Sequence, residues 1–151
     1  MIEDYNKYKI RAANMDGDIR GDRRFIMATW VASYRQSCKW LTHRDYARLY
    51  NRAVDHELSK EIVKCWVVCA IDCDEQLFGW LCGYENKPTL HYIYIKPAMR
   101  MLGLGSWMVD DFAKHHRMTP DGLTYTNFTS VFLALCPPVD VGKFNPSLFS
   151  V

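Results

Sequence analysis

The stretch "IKPAMRMLGLGSWMVDD" (95–111) begins at the end of an apolar run and closes on a helix-like pattern, with one arginine and two glycines in between. A helix starts with backbone N–H groups that lack an intrahelical partner, and its dipole places about half a positive charge at that end. Gly103 and Gly105 let the backbone bend and approach an oxyanion closely, while Met101, Leu102, Leu104 and Ser106 surround them with further amides. Arg100 adds a fixed charge whose planar fork suits phosphate oxygens. The stretch reads as a strand-to-helix junction that holds a phosphate or pyrophosphate. It is not a Walker loop, because Gly105 is followed by Ser106 and Trp107 rather than by Lys and Ser/Thr. It is not a dinucleotide fingerprint either, because Met108 stands where the third glycine belongs and no early strand-helix-strand unit precedes it.

Upstream of the junction, "TLHYIYIK" (89–96) reads as a strand. "KCWVVCAID" (64–72) and "QLFGWLCGY" (76–84) read as two more, joined through "CDE", so the three form an antiparallel meander. Before them, Phe25, Ile26, Trp30, Val31 and Tyr34 recur at helical spacing behind Asp22. A second helix follows a Thr42/Asp45 capping pattern, with Tyr46, Leu49, Tyr50, Ala53, Val54 and Leu58 on one face. "YKIRAA" (8–13) supplies a first strand. Downstream, a third helix is expected from Ser106 to about Met118, stopped by "TPDG" (119–122). "LTYTNF" (123–128) then returns as a strand beside the third, "SVFLALC" (130–136) is a short helical turn, and "KFNPSLF" (143–149) is a last strand bent by Pro146. The expected fold is a layered α/β (α+β) domain spanning 1–151, with a mixed, mostly antiparallel central sheet flanked by helices.

Composition fits such a domain: 151 residues, 49% hydrophobic, 14% aromatic and 24% charged. The net charge of +2 is unevenly spread, with 13 Lys/Arg against 9 Asp/Glu in residues 1–64 and 6 against 8 thereafter. A basic amino-terminal half either faces an acidic or phosphate-bearing partner or is simply a solvated face. The six cysteines form no C-x-x-C pair, so metal binding is not expected, and two of Cys65, Cys69 and Cys73 are expected in the core. No window reaches the ~20 apolar residues of a membrane span, and the start has no apolar leader region, so a reducing cytoplasm is the expected setting.

Ile95-Lys96-Pro97 followed by Arg100-Met101-Leu102-Gly103-Leu104-Gly105 resembles motif A of the GNAT superfamily of N-acetyltransferases. The resemblance implies a GNAT-like fold, an acetyl-CoA co-substrate, no metal, and transfer of an acyl group to an amine by direct attack. It implies that Ile93 and Ile95 bond the pantetheine arm through the main chain, that residues 100–106 cradle the pyrophosphate, and that Asn127 takes the place of the family's Asn at the end of the next strand. The carboxyl-terminal "YTNFT" (125–129) and "FNPSLF" (144–149) are similar to short GNAT-like bacteriophage proteins, which implies a viral protein in a host cytoplasm.

The chain departs from the family's catalytic pattern. "TLHYIYIK" contains no acid, so His91 is the only side chain of that strand able to act as a base near neutral pH, with Glu85 just outside in the turn. The family's tyrosine position falls near Ala134, leaving Tyr125 as a substitute proton donor. His91 reads equally as a core histidine, and Tyr125 as a half-buried strand aromatic. Strict alternation sets Tyr92 and Tyr94 opposite His91. The first two helices carry Arg20, Arg23, Arg24, Arg35, Arg44, Arg48 and Arg52, which suits a small-molecule or macromolecular acceptor bearing phosphate, nucleic acid included. A binding or inhibitory module that has lost catalysis is the alternative, and either a monomer or a homodimer is compatible with the sequence.

Overall fold

The computed structural model describes residues 5–16, 21–34 and 43–126. Five strands form one sheet in the order of the chain: β1 (Tyr8–Ala12), β2 (Val63–Ala70), β3 (Cys73–Tyr84), β4 (Thr89–Ile95) and β5 (Thr124–Tyr125). β1 to β4 pair antiparallel, and β5 lies parallel to β4. Three helices cover the sheet: α1 (Asp22–Tyr34), α2 (His43–Leu58) and α3 (Leu104–His115). The layered, mostly antiparallel arrangement is the one expected from the sequence. The stretches 130–136 and 143–149, and Asn127, lie outside the described residues.

Alternation along the strands divides the core in two. Cys65, Val67, Trp80, Cys82, Tyr92 and Tyr94 face α1 and α2, where they meet Ile26, Trp30, Val54 and Leu58. Val68, Leu81, Leu90, Ile93 and Ile95 face α3 and meet Leu104, Met108, Val109 and Phe112. On the first face Trp30 stacks on Tyr92 with centroids 5.4 Å apart and lies 5.1 Å from Trp80. Trp80 Nε1 donates to Thr29 Oγ1 at 2.7 Å, which fixes α1 against β3. On the second face Gly83 leaves room for α3: a Cβ there would sit 2.7 Å from Phe112 and 2.8 Å from the Thr89 carbonyl oxygen.

Asp22 opens α1 where a carboxylate suits the helix dipole. It accepts from both terminal nitrogens of Arg11 (2.6 and 3.0 Å) and from the Asn14 amide (2.6 Å), so the start of α1 is tied to the end of β1. At the same end, Arg23 in the first turn of α1 pairs with Asp55 in the last turn of α2 at 2.7 Å, tying the two helices together.

Four boundaries differ from the sequence expectation. The β2–β3 turn is Ile71–Asp72 rather than "CDE", because Cys73 already pairs with Ala70, and slips in register follow it along β3. α3 starts at Leu104 and ends at His115, since Gly103 provides the left-handed turn that begins it. Of the expected strand 123–128, the described part is strand at Thr124–Tyr125 and not at Leu123 or Thr126, while 127–128 lie outside the described residues. The fourth correction matters most. Cys82 pairs with Tyr92 and Gly83 with Leu90, so His91 is an extra residue in β4, a bulge that returns it to the same face as Tyr92 and Tyr94. Strict alternation had set them on opposite faces.

Candidate functional site

The junction between β4 and α3 has the geometry of an anion cradle. Gly103 adopts φ 83°, ψ 5° and precedes a helix whose first residue position has no side-chain cap. Among the described residues, the amides of Gly103, Leu104, Gly105 and Ser106 donate to no backbone or side-chain acceptor. Leu104, 1% exposed, anchors the loop from the α3-side core, while Met101 and Leu102 extend outward. Met101 also holds a positive φ of 68°, which costs a non-glycine residue on the order of 1 kcal/mol and marks the loop as constrained by its surroundings. Unsatisfied amides at a helix start, next to a glycine in the left-handed region, fit a doubly charged phosphate linker.

Arg100 is partly committed. Its Nε donates to the Ile95 carbonyl at 2.9 Å and its guanidinium lies 5.9 Å from the Tyr94 ring centroid, so it pins the turn to the end of β4. The Lys96 amide donates to Phe78 across the β3 side at 2.8 Å. Amide directions alternate along a strand, so those of Ile93 and Ile95 point to the opposite edge. There β5 pairs with β4 only at Thr89 and Leu90 among the described residues, and the Thr126 amide adds one bond to the Leu90 carbonyl. Among the described residues nothing pairs with the amides of Ile93 and Ile95 at that edge, while the Ile95 carbonyl is taken by Arg100; free strand amides of this kind suit an extended chain of amides.

His91 is 1% exposed. Its Nδ1 lies 2.9 Å from Thr126 Oγ1 and its Nε2 3.3 Å from Glu57 Oε1, and the Tyr84 ring meets it edge-on at 4.4 Å. Burial first, and the charge of Lys60 second, push its pKa down from 6.5 to about 4. The imidazole is neutral at neutral pH, so its approach to Glu57 is a close polar contact there and neither an ion pair nor a hydrogen bond. Because the unfolded chain takes up the proton that folded His91 refuses, stability contributed here is full above pH 6.5 and falls as pH drops toward 4, by at most about 3 kcal/mol. Urea titrations between pH 7 and 4.5 are expected to show this loss in the wild type and a shallower one in His91→Asn.

The carboxylate that faces His91 is Glu57, which sequence reading missed, rather than Glu85. Glu85 is exposed in the β3–β4 turn, 3.9 Å from Lys64. Glu57 was legible in one respect: it falls on the apolar stripe of α2 with Ala53, Val54 and Leu58, where an acid must be explained. Tyr125 is 2% exposed and packs within the α3-side core. His116, late in α3, bonds the Tyr84 carbonyl at 3.1 Å, and His115 rests on Trp66. Of the described cysteines, Cys65, Cys69 and Cys82 are buried and Cys73 is exposed. Among the described residues no helix is long and apolar enough to cross a membrane.

On the α1 side, where β4 ends, a groove of about 400 Å³ is lined by Gly21, Arg24, Phe25, Glu75, Leu77 and Lys96. The Lys96 ammonium stands 5.1 Å from the Phe25 ring centroid, which holds a positive charge over the groove.

The meander, the uncapped, glycine-led helix start after its last strand, and a fifth strand parallel to the fourth make up a fold shared with solved structures described as acetyltransferases. A protein from Clostridium difficile 630 described as a possible acetyltransferase aligns with TM-score 0.58 at 16% identity, over 85% of this chain and 84% of its own. YycN from Bacillus subtilis aligns equally well, with TM-score 0.58 at 14% identity over 83% and 86% of the two chains. A Clostridium acetobutylicum protein described as a predicted acetyltransferase with acetyl-CoA aligns with TM-score 0.51 at 12% identity, over 85% of each chain. No protein-family model and no curated protein matches the sequence.

Proposed function

We infer that the chain is an N-acyltransferase that moves an acyl group from the thioester of acetyl-CoA to an amine. The observation that carries this reading is the set of four amides, at residues 103–106, that donate to nothing among the described residues and stand just beyond the end of β4. The cradle takes the pyrophosphate, Ile93 and Ile95 take the amides of the pantetheine arm, and the thioester comes to rest further along β4. The protein contributes mainly by binding and orienting, since the thioester is itself the reactive group. A free amine attacks the carbonyl carbon, a main-chain amide of β4 polarises the carbonyl oxygen, and the thiolate departs. The acceptor reading rests on the groove: Arg24 and Lys96 favour an amine that also carries a phosphate or another anionic group, while Glu75 suits its ammonium.

Titration calorimetry with acetyl-CoA and with free CoA is expected to give micromolar binding of both, and a panel of amines with and without phosphate to consume the thioester. Phosphate-bearing amines are expected to react faster, and the preference to weaken in Lys96→Ala. Binding of CoA without turnover of any amine would leave a CoA-binding module in place of the enzyme, and absence of binding removes both.

A further inference from the structure

The charged residues of the domain are sorted by face. α1 carries two arginines and α2 three, and neither helix contains a lysine. Their acids are Asp22, Asp45, Asp55 and Glu57, and three of these are engaged locally: Asp22 by Arg11, Asp55 by Arg23, and the buried Glu57 by Lys60. Arg44, Arg48 and Arg52 are all exposed, and among the described residues none of them enters an ion pair. Residues four apart on a helix are turned by about 40° and raised by about 6 Å, so the three make one row about 12 Å long. The row looks away from the buried Ala53 and Val54 of the same helix. α3, on the opposite face of the sheet, exposes Asp110 and Asp111 against Lys114. A net charge of only +2 is thus divided into a basic α1/α2 side and a more acidic α3 side.

We propose that the outward face of α2 binds the phosphate backbone of a nucleic acid through Arg44, Arg48 and Arg52. Three features choose this partner. The guanidinium fork meets two oxygens of a phosphate at once and is weakly hydrated, so a row built of arginine alone suits phosphate better than a lysine cluster does. Three cations at fixed intervals address several charges in line, which a polymer supplies and a single small anion does not. Among the described residues the exposed large apolar side chains are Ile62, Ile71, Met101 and Leu102, none of them on α2, so this face offers nothing to insert into a bilayer. Charge complementarity draws the polymer in, and each phosphate neutralised releases condensed counterions. Phosphate contacts hold a strand on the surface without reading its bases, so the binding is independent of sequence. No α2 residue lines the groove of Gly21, Arg24 and Lys96, so this surface is separate from the acceptor groove and does not rest on acyl transfer.

Fluorescence anisotropy with short labelled DNA and RNA oligonucleotides, single-stranded and duplex, tests the surface with no acetyl-CoA present. The wild type is expected to bind with Kd of about 1–100 μM, the range of non-specific association, and the tighter of DNA and RNA identifies the polymer. The plot of log K against log salt is expected to fall with a slope of about −2 to −3, the value for three neutralised phosphates. Arg48→Gln/Arg52→Gln is expected to remove about two thirds of that slope and to weaken binding about tenfold or more. Lys114→Gln/Arg117→Gln makes the same change in net charge at the end of α3, where both residues are exposed, and is expected to stay within about twofold of the wild type. Should the α2 double variant fold poorly, Arg44→Gln, Arg48→Gln and Arg52→Gln taken singly are each expected to flatten the slope by about one third. Absence of oligonucleotide binding by the wild type at low salt, an equal loss in the two double variants, or equally tight binding of polyglutamate or of anionic lipid vesicles overturns the proposal. Each of those results leaves the acyltransferase reading standing.

Discussion

Acetyl-CoA affinity is expected to fall by about a hundredfold when Gly103 is replaced with valine, on the order of two charge-assisted hydrogen bonds lost from the pyrophosphate. Gly103 sits at φ 83°, a conformation that β-branched residues almost never adopt, and the helix it introduces has no side chain capping its first amides. Valine restores a negative φ by moving the loop, and the four amides of residues 103–106 then cease to converge. Leu104 and Met108 keep α3 in the core, so circular dichroism is expected to change little and the melting temperature to fall by a few degrees only. Asparagine tolerates the left-handed region better than any other side chain, and Gly103→Asn is expected to retain most of the affinity that valine loses. Calorimetry on the three proteins measures the contrast; undiminished binding by the valine variant would count against the amide cradle.

The largest loss of stability is expected from Trp30→Ala, about 3–5 kcal/mol, the range for emptying a fully buried aromatic site. Trp30 is 0% exposed, stacked on Tyr92 at 5.4 Å and tilted against Trp80 at 5.1 Å, so its removal deletes transfer energy, two ring contacts and a large part of the surface by which α1 holds the sheet. For a chain of 151 residues that corresponds to a fall of roughly 10 °C or more in Tm. Urea unfolding of the wild type and variant gives the difference directly. Trp30→Phe keeps part of the stack and is expected to lose about half as much.

The sheet, its helices and the glycine-led start of α3 were legible because each leaves a local mark. β4 is a run of branched and aromatic residues, α2 has a clean apolar stripe, and a glycine stands where the strand becomes a helix. The buried polar group around His91 was not legible, because its members are separated along the sequence and meet only through a bulge. An alternating reading of "TLHYIYIK" assigns His91 to the wrong face by one residue, and with it the identity of its partner. Nothing local marks a bulge at His91: the signal is the pairing of Gly83 with Leu90, a long-range fact. The β2–β3 turn was displaced for a related reason, since "CDE" is polar and turn-like while Ile71 is apolar, yet the chain reverses at Ile71–Asp72.

The added residue in β4 also sets when the buried polar contacts around His91 can form. Its imidazole reaches a hydroxyl 35 positions later and a carboxylate from a helix that precedes the entire hairpin, so no fragment and no early folding stage holds the three together. Any perturbation that loosens α2 would therefore part Glu57 from His91 while leaving the turn at Gly103, which α3 carries, undisturbed.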